Sequence, residues 1–348
     1  MSFKRKIEEW YDENGRTLPW RGINDPYKIW VSEIILQQTR IEQGWNYYLR
    51  FIDKFPTVKD LADAPEEDVL KCWQGLGYYS RARNMHSAAK YIMDEFDGKF
   101  PNTYEDILSL KGVGRYTAAA ISSMAFGLPY PVIDGNVYRL ISRVFGIYTP
   151  IGTDVAYKEF EKLLMGLIDK DNPGKFNQAM MDFGSLYCKP LGCECENCIF
   201  LNECVAFKDG KVEMLPIKPE KVVVKERWMY YMYIHWNKKD DTYTFVHKRE
   251  GKDIWKGLYE FPLIESEFAL KEDELLNKIK ECVGQKCDIK IEKSLTHKLT
   301  HRTIKATFIK VVLLTEPIKK WENEQEIPLK ELKKLPVSRL IDRYLNKK

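Results

Sequence analysis

Nothing at the start of this chain reads as an export signal. It opens Met1-Ser2-Phe3-Lys4-Arg5-Lys6 and runs straight into charged residues, without the apolar core of a signal peptide. A reducing cytosol is therefore expected, and disulfides are not. Hydrophobic runs of membrane length are missing as well. The longest uncharged stretch, Tyr116 to Ile133, has 18 residues and is interrupted by Thr117, Ser122, Ser123, Gly127, Pro129 and Pro131. That predicts a buried helix followed by a turn, not a membrane span. A dominant charge of one sign is lacking too: 55 lysines and arginines against 51 acids leave +4. Such a balance permits a polyanionic partner without demanding one, so a case for nucleic acid has to come from local patches and loops. No internal repeat or low-complexity tract is present.

What is there is enough apolar material, 44% of 348 residues, for one large core and a smaller second one. Helical periodicity dominates the first two hundred residues. Tyr27, Trp30, Ile34, Ile41, Trp45 and Tyr48 recur at three, four or seven and predict one helix with an apolar stripe. Similar stripes follow, punctuated by prolines and glycines. After Cys204 the texture changes. Leu215 to Arg227, with two prolines and six charged residues, reads as a linker. Beyond it, Trp228 to Trp236, Tyr243 to Lys248 and Lys305 to Leu314 are rich in β-branched and aromatic residues, as strands are, and Glu272 to Cys282 reads as a helix. The expected fold is mainly α: a helical domain over 1–214, a linker over 215–227, and a smaller α+β domain over 228–348.

Cysteine is concentrated where the helical part ends. Cys188, Cys195, Cys198 and Cys204 form a C-x6-C-x2-C-x5-C run, a compact set of thiolates able to hold a metal centre. Spacing alone suits zinc and an iron-sulfur cluster equally. Cys72, Cys193, Cys282 and Cys287 lack a ligand pattern and read as buried or incidental thiols, although Cys193 lies inside the six-residue spacer and could compete for metal.

Upstream, Leu110-Lys111-Gly112-Val113-Gly114-Arg115-Tyr116-Thr117-Ala118 joins a helix ending near Ser109 to one beginning near Arg115. Gly112 and Gly114 allow a tight turn, and the amides that open the second helix then point outward, where a DNA phosphate can accept them. Taken alone, an ordinary turn between packed helices explains the same residues. Together with Pro131-Val132-Ile133-Asp134-Gly135-Asn136-Val137 and the cysteine run, however, the segment resembles the helix-hairpin-helix DNA glycosylase superfamily with its [4Fe-4S] loop. Trp20-Arg21, Val31-Ser32-Glu33-Ile34-Ile35-Leu36-Gln37-Gln38-Thr39 and Gly75-Leu76-Gly77-Tyr78-Tyr79-Ser80-Arg81 are similar to the adenine DNA glycosylases of the MutY type. The similarity is strong to about residue 208 and looser after it.

The resemblance implies a monofunctional enzyme that hydrolyses the N-glycosidic bond of adenine mispaired with 8-oxoguanine or guanine. Glu33 and Asp134 match the catalytic positions: Glu33 to protonate the adenine at N7 and later handle the water, Asp134 to stabilise the cationic sugar. The residue types suit that task, which needs one protonated carboxylic acid and one carboxylate. Glu33 borders the apolar stripe of Trp30 and Ile34, where desolvation raises a carboxyl pKa. The plain alternatives are a glutamate on a solvated helix face and an Asp134 that only caps the helix from Asn136 to Phe145. Tyr116 stands where bifunctional relatives of the endonuclease III type hold a Schiff-base lysine. A tyrosine cannot form one, so Tyr116 is expected over the reacting sugar and strand cleavage is not expected. Asn136 belongs to the same implied DNA-contacting set. Arg21 would line the adenine pocket, Leu76 would be an exposed apolar wedge with Tyr78 stacked beside it, and Gln38 would hydrogen-bond at the emptied site.

In the second domain, Gly257-Leu258-Tyr259-Glu260-Phe261-Pro262 is similar to the Nudix fold, without the acidic magnesium helix of Nudix hydrolases. His297-Lys298-Leu299-Thr300-His301 occupies the place of the relatives' lesion-reading loop. Thr300 and His301 match it, and Leu299 replaces an aromatic. By resemblance the four spaced cysteines hold a structural [4Fe-4S] cluster that braces the basic loop around Lys189 and Lys208. The implied partner is double-stranded DNA carrying the mismatch. A monomer in the cytoplasm, associated with the nucleoid and not with membrane, is expected. Two alternatives are a bifunctional glycosylase/lyase, which would need lysine at position 116, and a non-catalytic DNA-binding scaffold, which would have no use for paired Glu33 and Asp134.

Overall fold

The computed structural model describes residues 2–219, 225–238, 241–251, 253–299, 302–317 and 324–346. The chain packs into two compact units, Met1–Asp63 with Ser87–Glu220, and Ala64–His86 with Lys221–Lys348. No helix among the described residues is long and apolar enough to cross a membrane.

The first unit is helical. Its elements are α1 (Phe3–Asn14), α2 (Pro26–Leu36), α3 (Ile41–Lys54) and α4 (Val58–Asp63). After α5 (Glu66–Trp73), and α6 (Ser80–Glu95), inside which the boundary falls, come α7 (Tyr104–Ser109), α8 (Arg115–Phe126), α9 (Gly135–Phe145), α10 (Asp154–Leu167), α11 (Pro173–Asp182) and the short α12 (Val205–Lys208). Short polar side chains start several of them by accepting an orphan amide: Asp25 before Pro26, Thr103, Thr153, and Asn172 before Pro173. Phe3 and Ile7 of α1 meet Val137, Leu140 and Ile141 of α9, Phe160 and Leu164 of α10 and Phe176 of α11 in one buried cluster. Phe200, between the cysteines, stacks on Phe3 with ring centroids 4.7 Å apart, which ties the cysteine loop to that core.

The periodic stretch from Tyr27 to Tyr48 is two helices, not the expected one. α2 ends at Leu36, Gln38 adopts φ 55°, and α3 starts at Ile41. The seven-residue step between Ile34 and Ile41 keeps the stripe in register across a break that periodicity alone does not reveal. The break leaves Glu33 in the last turn of α2, where Gln37 N–H still bonds its carbonyl at 3.2 Å. The hairpin glycines join α7 to α8 as expected. Gly112 takes φ 84° and Gly114 caps α8 in an extended conformation.

The second unit is built on a seven-stranded sheet ordered β3-β2-β1-β6-β5, with β4 pairing β1 and β7 pairing β2. The elements are β1 (Lys225–Lys238), β2 (Asp241–Lys248), β3 (Tyr259–Glu260), β4 (Leu263–Ser266), α13 (Glu272–Val283), β5 (Cys287–Lys298), β6 (Arg302–Leu313), β7 (Gln325–Pro328) and α14 (Arg339–Leu345). β1 runs parallel to β6, and β5 and β6 form an antiparallel hairpin. Both faces of β1 are covered, which is why Met229 to Ile234 is an unbroken apolar and aromatic run. Met229, Tyr231 and Tyr233 pack with Phe308 and Tyr344, while Tyr230, Met232 and Ile234 pack with Leu275 and Ile279 of α13. β1 begins inside the segment expected to be linker. Leu215 is buried, and its carbonyl accepts from Arg143 Nε at 3.0 Å.

Residues 64–86 pack with this second unit because α5 and the turn after it are tied there by polar bonds. Lys71 Nζ donates to the Lys333 and Leu335 carbonyls at 2.6 and 2.9 Å, Gln74 Nε2 to Asp342 at 2.7 Å, and Tyr79 to the Val337 carbonyl at 3.1 Å. Leu76 is not the exposed wedge expected of it. Positive φ at Gly75 and Gly77 folds the turn back so that the Trp73 indole donates to the Gly77 carbonyl at 3.1 Å, and Leu76 is only 7% exposed. Tyr78, also at positive φ, is 46% exposed.

Candidate active site

A cavity of about 190 Å³ opens in the first unit, lined by residues of α2, α8, α9 and α11 and of the turn before α2. Glu33, Tyr116, Asp134, Asn136 and Arg21 all lie on its wall. An engineered apolar cavity of about 150 Å³ takes up benzene, so the space suits a flat heterocycle.

Glu33 is 6% exposed because α2 is buried on every side from Ile29 to Ile35. Among the described residues one bond reaches its carboxyl: the Tyr116 hydroxyl donates to Oε2 at 2.7 Å. Burial pushes the Glu33 pKa up to about 7. The Tyr116 hydrogen bond and Arg21 pull it down and Asp134 pushes it further up, so burial prevails. The solvated-face alternative for this glutamate is thereby removed. Burial and the neighbouring Glu33 and Asp134 hold the Tyr116 phenol well above its usual range, so it stays a donor.

Asp134 caps α9. Its Oδ1 accepts from the amides of Asn136 and Val137 at 2.9 and 2.7 Å, and its Oδ2 from Asn136 Nδ2 at 2.8 Å. Burial raises its pKa above the ordinary 3.8 against those three bonds and Arg139. The cap and the cavity wall are one residue, and Oδ2 retains acceptor capacity toward the cavity. Asn136 is held in turn by Arg139, whose Nη2 donates to its Oδ1 at 2.9 Å.

Sequence reasoning missed the ion cluster that orients Arg21. Arg21 Nη1 and Nη2 donate to Asp182 Oδ2 and Oδ1 at 2.6 and 2.7 Å, and Arg16 binds the same carboxylate through Nε at 2.9 Å and its backbone amide at 2.9 Å. Asp182 is 0% exposed. Burial pushes its carboxyl up, but hydrogen bonds from Arg21 and Arg16 outweigh this and hold it below the usual carboxylate range. The signal was present: Asp182 is the one acid between Asp171 and Glu194, and it sits among Phe176, Ala179, Met180 and Phe183. Gln178, Met181, Ser185, Thr39 and Trp20 complete the wall without having been singled out for it.

The other expected residues lie elsewhere. Gln38 is exposed just beyond α2, Gly112 and Gly114 form the turn between α7 and α8, and Leu76 and Tyr78 belong to the second unit. Thr300 and His301 fall outside the described residues. Leu299 before them packs partly on the second unit's core, and the ring of His297 meets Trp255 edge-on at 5.9 Å.

Cys188, Cys195, Cys198 and Cys204 line one pocket together with Leu140, Val144, Phe183 and Phe200. Arg143 lies beneath them, 2% exposed, donating to the Leu215, Lys189 and Pro190 carbonyls and to Cys188 Sγ at 3.4 Å. No carboxylate pairs with it among the described contacts. A buried guanidinium needs an anion, and metal-bound thiolates are the anions these surroundings offer. Phe200 N–H also points at Cys198 Sγ, 3.4 Å away. The donor set fits an iron-sulfur cluster, whose sulfurs accept such bonds. Among the described residues no group of three or more His, Cys, Asp or Glu is gathered as a single metal ion requires.

Residues 31–167 match the HhH-GPD superfamily base excision DNA repair protein family, and residues 231–347 match the NUDIX domain. The adenine DNA glycosylase of Buchnera aphidicola subsp. Schizaphis graminum is 36% identical over 307 residues, covering 87% of this chain and 85% of its own. The human adenine DNA glycosylase is 39% identical over 223 residues, covering 62% of this chain and 41% of its own. Among solved structures, a thermostable thymine-DNA glycosylase superposes with TM-score 0.56 at 29% identity, covering 60% of this chain and 95% of its own. Endonuclease III in a non-covalent DNA complex gives 0.52 at 25% identity, covering 60% and 99%. With a buried acid, a capped carboxylate and a cysteine loop on that helical scaffold, the chain belongs to the adenine DNA glycosylases of base excision repair, hydrolases of N-glycosyl bonds.

Proposed function

We propose that the enzyme acts as a monomer on duplex DNA in the cytoplasm, at the nucleoid, removing adenine mispaired with 8-oxoguanine or guanine and leaving the strand intact. The observation that carries this reading is that Glu33 of α2, Tyr116 of α8 and Asp134 at the cap of α9 line one cavity, with the Glu33 pKa pushed up to about 7.

The extruded adenine enters the cavity, and Glu33 passes its proton to N7. The bond between C1′ and N9 then breaks with its electron pair leaving on the base. Asp134, a carboxylate already positioned by the amides that open α9, stabilises the oxocarbenium sugar and bonds to C1′ transiently. Glu33, now deprotonated, takes a proton from water as the water displaces Asp134. Tyr116 fixes one Glu33 oxygen and lies over the sugar. No lysine lines the cavity among the described residues, so no amine stands ready to form the Schiff base of a lyase.

Arg21, locked by Asp182, lines the adenine pocket beside Asn136. Gln38 hydrogen-bonds at the emptied site. Tyr78 stacks there, and Leu76 wedges only if it leaves its buried place. Gly112 and Gly114 let a phosphate approach the start of α8: among the described residues, a Cβ at Gly114 would meet no atom within 4 Å beyond its chain neighbours, so no packing there demands glycine. Thr300 and His301 read the oxidised guanine. Cys188, Cys195, Cys198 and Cys204 hold a [4Fe-4S] cluster whose contribution is to fix the loop, not to supply chemistry.

Duplexes with adenine opposite 8-oxoguanine, guanine or thymine, sampled before and after hot alkali, test the reading. Release should occur opposite the first two, with strand breaks only after alkali. Breaks without alkali would sink the monofunctional assignment, and equal release opposite thymine would sink the mismatch requirement.

A further inference from the structure

Cys193 stands outside the four-cysteine spacing, yet it lines the same pocket as Cys188, Cys195, Cys198 and Cys204. The local chain explains this. Cys193 and Cys195 are partly buried while Glu194 between them and Glu196 after them are exposed, the turn at Glu194 leading into the short 3-10 helix Cys195–Asn197. Buried Arg143, the cation that would balance an anionic cluster, reaches Cys193 Sγ at 3.1 Å against 3.4 Å for Cys188 Sγ. The Cys193 thiol donates to the Lys189 carbonyl at 2.8 Å, a weak bond that is cheap to give up. Ahead of it, Leu191 is 71% exposed and Gly192 has open space around it, so this part of the loop can shift without breaking packing.

We propose that Cys193 is a reserve ligand, able to take the iron corner of Cys195 so that C-x4-C-x4-C-x5-C, through Cys188, Cys193, Cys198 and Cys204, completes the same set of thiolates. The inference rests on the iron-sulfur reading above. The exchange is a ligand substitution with no electron transferred. Cys193 releases its thiol proton to solvent, its sulfur bonds iron as the bond to Cys195 breaks, and the departing Cys195 thiolate takes up a proton.

The test compares iron and sulfide content and the visible absorption band of proteins purified without oxygen. C193A and C195A should each keep the wild-type content, whereas C193A/C195A, C188A, C198A and C204A should lose it. A C195A protein as poor in iron as C204A would overturn the proposal, as would a double variant that keeps its cluster. Iron missing from the wild type would instead refute the iron-sulfur reading, and the reserve ligand with it. C193A retains all four spaced cysteines and guards against misfolding as an explanation. It should lose iron faster than wild type during ferricyanide oxidation, and equal rates would overturn the proposal.

Discussion

Each unit buries a glutamate almost completely, and the two are treated in opposite ways. Glu260 in the second unit is 4% exposed and fully satisfied: Arg249 Nη1 donates at 2.6 and 2.8 Å, His247 lies at 2.9 Å and the Tyr231 hydroxyl at 3.3 Å. Glu33 in the first unit is 6% exposed and, among the described residues, receives one neutral hydroxyl. Arg21, the cation nearest in kind, is committed to Asp182. A paired buried carboxylate serves the fold, here by tying β3 to β2 and β1. A buried carboxylate denied its cation keeps a proton to give away, at the expense of stability.

The largest effect that could break this contrast comes from making both residues amides. E33Q should lower the single-turnover rate of adenine release by about 10²–10⁴-fold, the usual contribution of a general acid, while duplex affinity persists. E260Q should cost about 1–3 kcal/mol of stability in urea unfolding, because Arg249 loses its most buried anion and keeps only the more exposed Asp253 and Glu265, with the chemical step in folded enzyme near wild type. The reverse pattern would undo the comparison. D182N should cost a similar amount, on the order of 3 kcal/mol, since Arg16 and Arg21 lose their common anion, and adenine should bind less well for want of a fixed Arg21.

Stability against pH sharpens the contrast further. A carboxyl whose pKa rises on folding holds its proton more tightly in the folded state. The Glu33 contribution is therefore complete below its ordinary 4.5 and is lost as the pH climbs to about 7. At alkaline pH E33Q should be more stable than wild type, by up to about 3 kcal/mol at roughly 1.4 kcal/mol per pH unit, with the difference vanishing in acid. Urea midpoints at the two extremes measure it. The smallest effects belong to the hairpin. G112A forces a side chain into φ 84° and should cost about 1 kcal/mol. G114A should leave stability within about 0.5 kcal/mol yet weaken duplex binding at low salt.

Much of the fold was legible because its signals are local. The hairpin glycines, the cysteine spacing and the apolar runs of β1, β2 and β6 each need only a few adjacent residues. The break after Leu36 was hidden because a seven-residue step preserves helical phase. The exposure of Leu76 was misjudged because two flanking glycines look the same whether they present a side chain or fold it inward. At the site, Glu33, Asp134 and Tyr116 were found through motif resemblance, and burial of Glu33 followed from its neighbours on α2. The ion cluster of Arg16, Arg21 and Asp182 joins residues more than 160 positions apart, and no local pattern carries such a pairing. The packing of residues 64–86 with the sheet unit likewise depends on bonds to residues near the other end of the chain.

The central claim is that burial without a cation makes Glu33 the proton donor. The pH dependence of single-turnover adenine release tests it most directly, with E33Q beside the wild type. The wild-type rate should hold below and fall above about pH 7, where Glu33 loses its proton, and the residual rate of E33Q should show no such step. A wild-type rate that stays level through that region, or an E33Q protein that keeps both the step and the rate, would contradict the account.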